Sequence, residues 1–495
     1  MFRVIKNSLV GIVGLTVISG QQLWAQSAQE YDLLTSERQE MQNSSYEIPR
    51  PEVSRSAFDL SEAQQVYYKT TVDDTLRLTL EQALQIALSE NPTIRVAEQE
   101  ITKQGYAKKG TYSSLFPQVD FSGVYQRTVE KQTMYMDGME EMGMTGGLKV
   151  GRDNTYSAGF SASMPLISAP LWHSLKISGY DVELAVEKAR SSRIEMVDQV
   201  KQAFYTVLLA HDALDVYRQA YDNAVFNYNE IERKYQQGLL AEYDLIRANV
   251  NVKNAEPNMY DAENSLILAR WRLKALLGLD LDSNIECVGS LSDFEDNLIG
   301  DYLNINLTLE NNSTLRQLDV QHKQLDKTRK MQVAQYYPSL ALQFDYQWLS
   351  MNNNFKFKDY NWDPYSVVSV ALKIPIFSGG KRYSDVKQTQ VSIKQLENQR
   401  LDTERSLNVA AKQFNDQMTT CIKQYQAASA GVEAATKSYS ITMKRYETGE
   451  GTMLEINDAQ LSLTQSQLNL NQSVYNYLIA KSGLEKTLGH TDDIK

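Results

Sequence analysis

Cysteine and histidine are nearly missing from this 495-residue chain: there are two Cys, Cys287 and Cys421, and four His. That excludes a disulfide framework and a Cys/His zinc cluster. Proline is scarce, ten residues in all, and none falls between Trp172 and Gln236 or between Lys381 and Thr448. No apolar run beyond the N-terminus approaches the ~20 residues of a membrane helix. The mature chain is therefore soluble, or it enters a membrane as a β-barrel. Positive charge is in deficit: the net charge of −11 argues against nucleic acid as a partner, since a nucleic-acid binder is expected to be basic. Phosphate-cradling Gly loops, zinc helix motifs and nucleophile elbows are all missing, so neither catalysis nor a cofactor is expected.

What is present begins with an export signature. Arg3 and Lys6 precede the apolar stretch "LVGIVGLTVISG", and Ala25 offers a small cleavage residue. Residues 1–25 read as a signal peptide. No Cys follows the apolar stretch, so no N-terminal lipid is expected. Residues 26–77 form a polar extension with weak periodicity. Tyr is abundant, at 29 residues, and suits surfaces that are half apolar and half wet.

The chain repeats itself. "NPTIRVAEQE" from Asn91 matches "NSTLRQLDVQ" from Asn312, and "FPQVDFSGVYQ" from Phe116 falls opposite "YPSLALQFDYQ" from Tyr337. "MPLIS" matches "IPIFS", "KYQQG" matches "RYETG", and "LLGL" matches "TLGH", in the same order. A duplicated unit explains five ordered blocks. The units are residues 78–280 and 310–489, joined by a linker at 281–309, with a tail at 490–495. Each reads as helix, strand, loop, strand, long helix, turn, helix. Pro117 and Pro338 mark helix-to-strand entries. Pro257 is expected to kink or split its helix.

The Pro-free stretches each predict a helix of roughly 100 Å, far longer than globular helices. Val200, Phe204, Val207, His211, Leu214 and Tyr217 step by four and three, as do Ala411, Phe414, Met418, Cys421 and Tyr425. Sustained 3-4 spacing is a coiled-coil seam. His211 and Cys421 are read as packing residues on these seams, rather than as a metal ligand and a redox thiol. Leu454, Leu461, Leu468 and Tyr475 form one heptad series, and Ile456, Leu463, Leu470, Tyr477 and Leu484 another. Two seams on one helix predict two neighbours, as in the wall of a helical barrel.

Four predicted strands cannot close a transmembrane barrel, which needs at least about eight. Several chains must pool their strands, and cyclic symmetry is the standard way to do so. Three chains supply twelve. The other class open at this point is a secreted coiled-coil structural or adhesive protein without a pore.

These residues resemble the TolC-like outer membrane efflux family. The likeness rests on the duplicated "NPTIRVAEQE…LFPQVDFSGVYQ" pattern, on "IPIFSGGKR", and on the pair "KYQQGLLAEYDL" and "RYETGEGTMLEINDAQ". It implies an α+β fold: long antiparallel coiled-coil helices forming an α-barrel in the periplasm, and four strands per chain contributing to a trimeric twelve-stranded barrel in outer-membrane lipid. It implies a homotrimeric exit duct carrying drugs or other small molecules, with a type I protein secretion duct as the alternative. The implied partners are a periplasmic adaptor and an inner-membrane pump of RND or ABC type. Two Gly-containing turns would form the periplasmic tip, with Gly238, Leu239, Gly449 and Gly451 docking the adaptor. Glu455 and Asp458 would face the pore as carboxylate rings, which favour cations, and Asp244 would face the same mouth or a neighbouring helix. Tyr235 and Tyr446 would belong to the network that keeps the mouth shut. The family pattern leads one to expect a basic residue shortly after the second Gly. Gly451 stands there, leaving Arg247 or Arg445 as substitutes.

Five Met lie between Met134 and Met144. Thioethers suit Cu(I), yet a strand-joining loop reads more simply as a flexible extracellular segment.

Overall fold

The computed structural model describes residues 75–134, 148–297 and 307–490, all within one unit, Thr75–Ile494. The export segment, most of the polar extension and the Met-rich loop after Met134 lie outside the described residues.

A short strand β1 (Leu76–Leu78) leads into α1 (Leu80–Glu90). A capping box starts α1: Thr79 accepts the Gln82 N–H, and Gln82 reaches back to the Thr79 N–H. The next helix, α2 (Pro92–Ser113), opens on Pro92, where its fixed φ suits the first turn. Strands β2 (Gln118–Arg127), β3 (Gln132–Met134), β4 (Leu148–Val150) and β5 (Asn154–Ile167) follow. Then come α3 (Ala169–Gln236) and α4 (Glu242–Leu277). A linking strand β6 (Ile285–Cys287) pairs parallel with β1 and precedes a 3-10 turn, Leu291–Asn297. The second half supplies α5 (Ser313–Ala334), β7 (Ser339–Asn352), β8 (Asp363–Lys373), α6 (Lys381–Glu447) and α7 (Met453–Leu488).

The expected long helices are 68 and 67 residues, or about 100 Å each. They form the frame. The first part of α3 is flanked by α2 and α5, through Arg193–Glu98, Lys323–Glu183 and Gln324–Asp181. Its later part is flanked by α4 and α7, with Thr206 hydrogen-bonded to Tyr475 and Asn223 to Gln460. α6 closes the row beside α5 and α7. The core lies where these layers meet, with Val200, Phe204, Leu208, Leu273, Met418 and Tyr477 almost fully enclosed. In α7 the series Ile456, Leu463, Tyr477, Leu484 is buried, whereas Leu454 and Leu461 of the other seam stay exposed.

One device occurs twice. Asn91 Oδ1 caps α2 through the Thr93 N–H while its Nδ2 donates to the Leu276 carbonyl at the end of α4. Asn312 caps α5 through Leu315 and donates to Thr487 at the end of α7. In each half a buried Asn thus clasps the end of the last helix to the start of the helix that leads into the sheet.

The main sheet runs β2-β5-β7-β8, antiparallel throughout. Among the described residues β2 and β8 are its open edges, and every residue of β2 is exposed. β5 and β7, at 14 residues each, are about 46 Å long, enough to cross an outer membrane when tilted.

Two sequence expectations change. α4 continues through Pro257 instead of splitting; Ala248 before it and Ala262, Leu266 and Ala269 after it are buried, and those contacts hold both parts in one helix. His211 is exposed rather than packed in the seam, its Nδ1 lying 3.4 Å from Asp212 and 3.6 Å from Asp215. Cys421 is buried as read. The helix α1 and the β1–β6 pair were not foreseen: three-residue strands carry no periodicity, although "TLEQ" is a visible capping signature.

Candidate functional site

The candidate site is the pair of turns joining α3 to α4 and α6 to α7. Both are Schellman motifs. Gly238 (φ 75°) donates to the Tyr235 carbonyl and Leu239 to that of Lys234. Gly449 (φ 82°) donates to the Tyr446 carbonyl and Glu450 to that of Arg445. The left-handed backbone at Gly238 and Gly449 is why glycine stands there. Beneath the turns, Ile231, Ala248, Met453 and Ile456 form a small core drawn from both hairpins, with Tyr228, Leu240, Tyr439 and Tyr446 packed on it. The two tips therefore act as one body.

The return helices start differently. Thr452 caps α7 with a full capping box: its hydroxyl accepts the Glu455 N–H, and the Glu455 carboxylate accepts the Thr452 N–H. Ala241, at the same place before α4, has no side-chain cap. Asp244, the counterpart of Glu455, is half-buried and acts on Tyr446. Burial first, and then the Asp244 charge, pushes the Tyr446 phenol above its ordinary value. Lys234 Nζ sits over the Tyr446 ring, 5.2 Å from its centroid. Tyr446 thus lies beneath a cation and within the field of an anion, and Tyr439 is half-buried and hydrogen-bonded to Asn227.

Tyr235 and Leu239 are exposed, and so is Asp458, which has no ion-pair or hydrogen-bond partner among the described residues. Glu455 is doubly engaged, in the cap and with Arg445, whose Nη1 is 3.7 Å away while its Nη2 donates to the Glu450 carbonyl. This pair is about half exposed, so screening leaves it weak. Arg445, not Arg247, makes the basic contact to the turn. A Cβ at Gly451 would lie 3.0 Å from the Tyr446 nitrogen and 3.2 Å from the Arg445 carbonyl carbon. The close approach of two backbones excludes a basic side chain at 451 without a shift of the turn. Gly451→Arg would therefore report distortion as well as charge.

The sequence reading missed Lys234, because nothing in a heptad pattern marks which cation lies over which ring. It also missed the cap, although "TMLE" carries the Thr-x-x-Glu signature. Among the described residues no group of three or more His, Cys, Asp or Glu could hold a metal ion. Burial pushes the Cys287 thiol up to about 12 and raises that of Cys421, so neither is a ready thiolate.

A family model described as "Outer membrane efflux protein" matches residues 83–279 and 304–490, one segment in each half. The chain belongs to the outer membrane efflux protein family. The outer membrane protein TolC of Vibrio cholerae is 21% identical over 366 residues, covering 71% of this chain and 82% of TolC. The alkaline protease secretion protein AprF of Pseudomonas aeruginosa is 22% identical over 431 residues, covering 85% of this chain and 86% of AprF. The crystal structure of the CmeC outer membrane channel of Campylobacter jejuni shares the fold, with a TM-score of 0.65 at 18% identity over 83% of this chain and 85% of CmeC. As a member of this family the chain is an outer-membrane protein, an exit duct, with the family's internally duplicated α+β fold. The family consists of channels rather than enzymes.

Proposed function

We propose that three copies assemble a channel-tunnel: a twelve-stranded barrel in the outer membrane, continued into the periplasm by a helical barrel, conducting passively what an adaptor and an inner-membrane pump deliver. The observation that carries this reading is the unclosed sheet. β2 and β8 are free edges, and an open edge cannot rest in lipid with unsatisfied backbone groups. Neighbouring copies complete it. α4 supports the same assembly with an uncovered 3-4 seam of Tyr243, Ile246, Val250, Tyr260, Ile267 and Trp271, the kind of stripe a second helix covers.

Gating belongs to the tip. Tyr446, flanked by Lys234 and Asp244, holds the two hairpins together in the closed form, with exposed Tyr235 beside them. Asp458 and Glu455 line the mouth, where threefold symmetry turns each into a ring that draws cations. The adaptor docks on the exposed turn at Gly238, Leu239, Gly449 and Gly451.

Planar-bilayer recording tests this. Glu455→Gln keeps the cap, because Gln also serves at that position, and Asp458→Asn removes a charge with no structural partner. The expected result is a cation-selective trimer that trivalent cations block, with selectivity and block weakened in the double variant. A membrane-inserted trimer that does not conduct would sink the duct. Unchanged selectivity in the double variant would remove these acids from the pore. Within the duct class, small-molecule efflux is the first reading. Protein secretion is the second, favoured by the long match to AprF, which covers 85% of this chain. Compound-sensitivity and secretion profiles of a deletion strain separate the two.

A further inference from the structure

The chain is acidic, with a net charge of −11, yet one zone is strongly basic. The ten helical residues next to the sheet in α2, α3, α5 and α6 (104–113, 169–178, 325–334 and 381–390) hold nine Lys or Arg against two Asp and no Glu. Both acids are already engaged. Asp326 pairs with Arg329 and Lys330, and Asp385 with Lys381. Lys109, Lys176, Lys327 and Lys387 have no acidic partner among the described residues. Lys176, Lys327 and Lys330 converge near His173, whose Nδ1 is buried without a hydrogen-bond partner. Burial and then these three charges hold that imidazole below its ordinary value.

Aromatic rings share the zone. Three of the four cation–ring contacts among the described residues lie here: Lys109 over Tyr106 at 5.2 Å, Arg382 over Tyr336 at 4.8 Å and Lys387 over Tyr383 at 5.6 Å. Tyr106, Trp172 and Tyr383 are each more than 60% exposed, too exposed for core residues. Exposed Lys and Tyr together suit a boundary between hydrocarbon and water. At 1.5 Å per residue each ten-residue window reaches about 15 Å from the sheet. A headgroup layer occupies roughly half of that, and its surface potential extends a further ~8 Å.

We propose that this basic, aromatic collar binds the anionic phosphate headgroups of phospholipids in the leaflet that faces the helices. Charge complementarity and continuity with the membrane-embedded sheet argue for lipid as the occupant. The proposal rests on the duct reading for the position of the sheet. Lys109, Lys176, Lys327 and Lys387 supply most of the free charge, with Lys108 beside Lys109. The Tyr and Trp rings seat at the acyl boundary, and Arg382, buried against the Gln335 and Pro375 carbonyls, ties α6 to the end of the sheet.

The test uses the full-length protein in mixed micelles of phosphatidylglycerol and phosphatidylcholine, with retained lipids counted by native mass spectrometry. The expected result is preferential retention of phosphatidylglycerol that weakens with salt. Each Lys→Gln change should lower it about fivefold, and the four lysines changed to Arg should keep it. Equal retention of both lipids by the wild type overturns the proposal. So does an undiminished preference in the fourfold Gln variant, or a shifted ion selectivity with lipid retention unchanged, which would put the lysines in the pore. If the fourfold variant does not fold, the single variants and the salt dependence of the wild type decide. A wild-type protein that inserts and conducts without lipid preference defeats the collar alone, whereas one that never conducts speaks against the duct.

Discussion

Asp212 illustrates how one side chain can hold a joint at an electrostatic cost. It lies on α3, 15% exposed, and its Oδ2 accepts the Leu291 N–H at 2.9 Å, anchoring the segment that links the two halves. Burial, the largest cause, raises its carboxyl above the ordinary value, with Asp215 adding to the rise and the Leu291 and His211 contacts opposing it. Between the ordinary and the raised value the folded state holds a proton that the unfolded state has lost. Stability therefore falls as pH rises through that window, and at neutral pH the buried charge is a net cost. Asp212→Asn keeps an acceptor for Leu291 and removes the charge. The variant is expected to unfold at a higher temperature than the wild type at pH 7, with the difference vanishing below about pH 4. A lower unfolding temperature at pH 7 would mean that the His211 contact outweighs burial.

Helix starts offer a cleaner comparison, because the duplication supplies its own control. Thr452 caps α7 and Ala241 fails to cap α4, at equivalent positions of one turn design. Thr452→Ala is expected to cost about 1 kcal/mol, and Ala241→Ser to stabilise by a comparable amount. Amide exchange in the first turns of α4 and α7 reads this directly: protection should fall in α7 for the first variant and rise in α4 for the second. Equal protection of the two wild-type helix starts would show that tertiary packing, not the cap, sets local stability. The asymmetry also bears on gating. A less firmly started α4 is the element that moves more easily, and it carries Asp244, one of the two charges beside Tyr446.

For the assembled channel, the free edges of β2 and β8 make a geometric prediction. With Cys287 and Cys421 replaced, one cysteine scanned along Val119–Tyr125 and another at Val368 should cross-link into dimers and trimers at some position of the scan. Monomers at every position would exclude neighbouring copies as the completion of the sheet. Cross-linked trimers that also conduct would join the edge geometry to the pore.

Much of this architecture follows from local pattern. The scarcity of proline and the 3-4 spacing from Val200 to Tyr217 and from Ala411 to Tyr425 call for two very long helices, since no proline in those stretches stops one. Alternation from Ser339 to Trp348 and from Tyr365 to Lys373 requires strands, and Gly238 and Gly449 require turns. Repetition of all these in order requires a duplicated fold. Three-dimensional packing settled what pattern leaves open. It kept α4 whole across Pro257, because buried Ala and Leu on both sides outweigh one missing hydrogen bond. It left His211 on the surface, because a seam position is apolar only where a neighbour covers it. It brought Lys234 and Asp244 to Tyr446 from two segments some two hundred residues away, and it set Gly451 against the backbone of Arg445 and Tyr446. Short-range periodicity is written in neighbouring residues and can be read from them. Contacts between distant segments depend on how whole helices dock, and that energy is shared among many side chains, no one of which announces its partner.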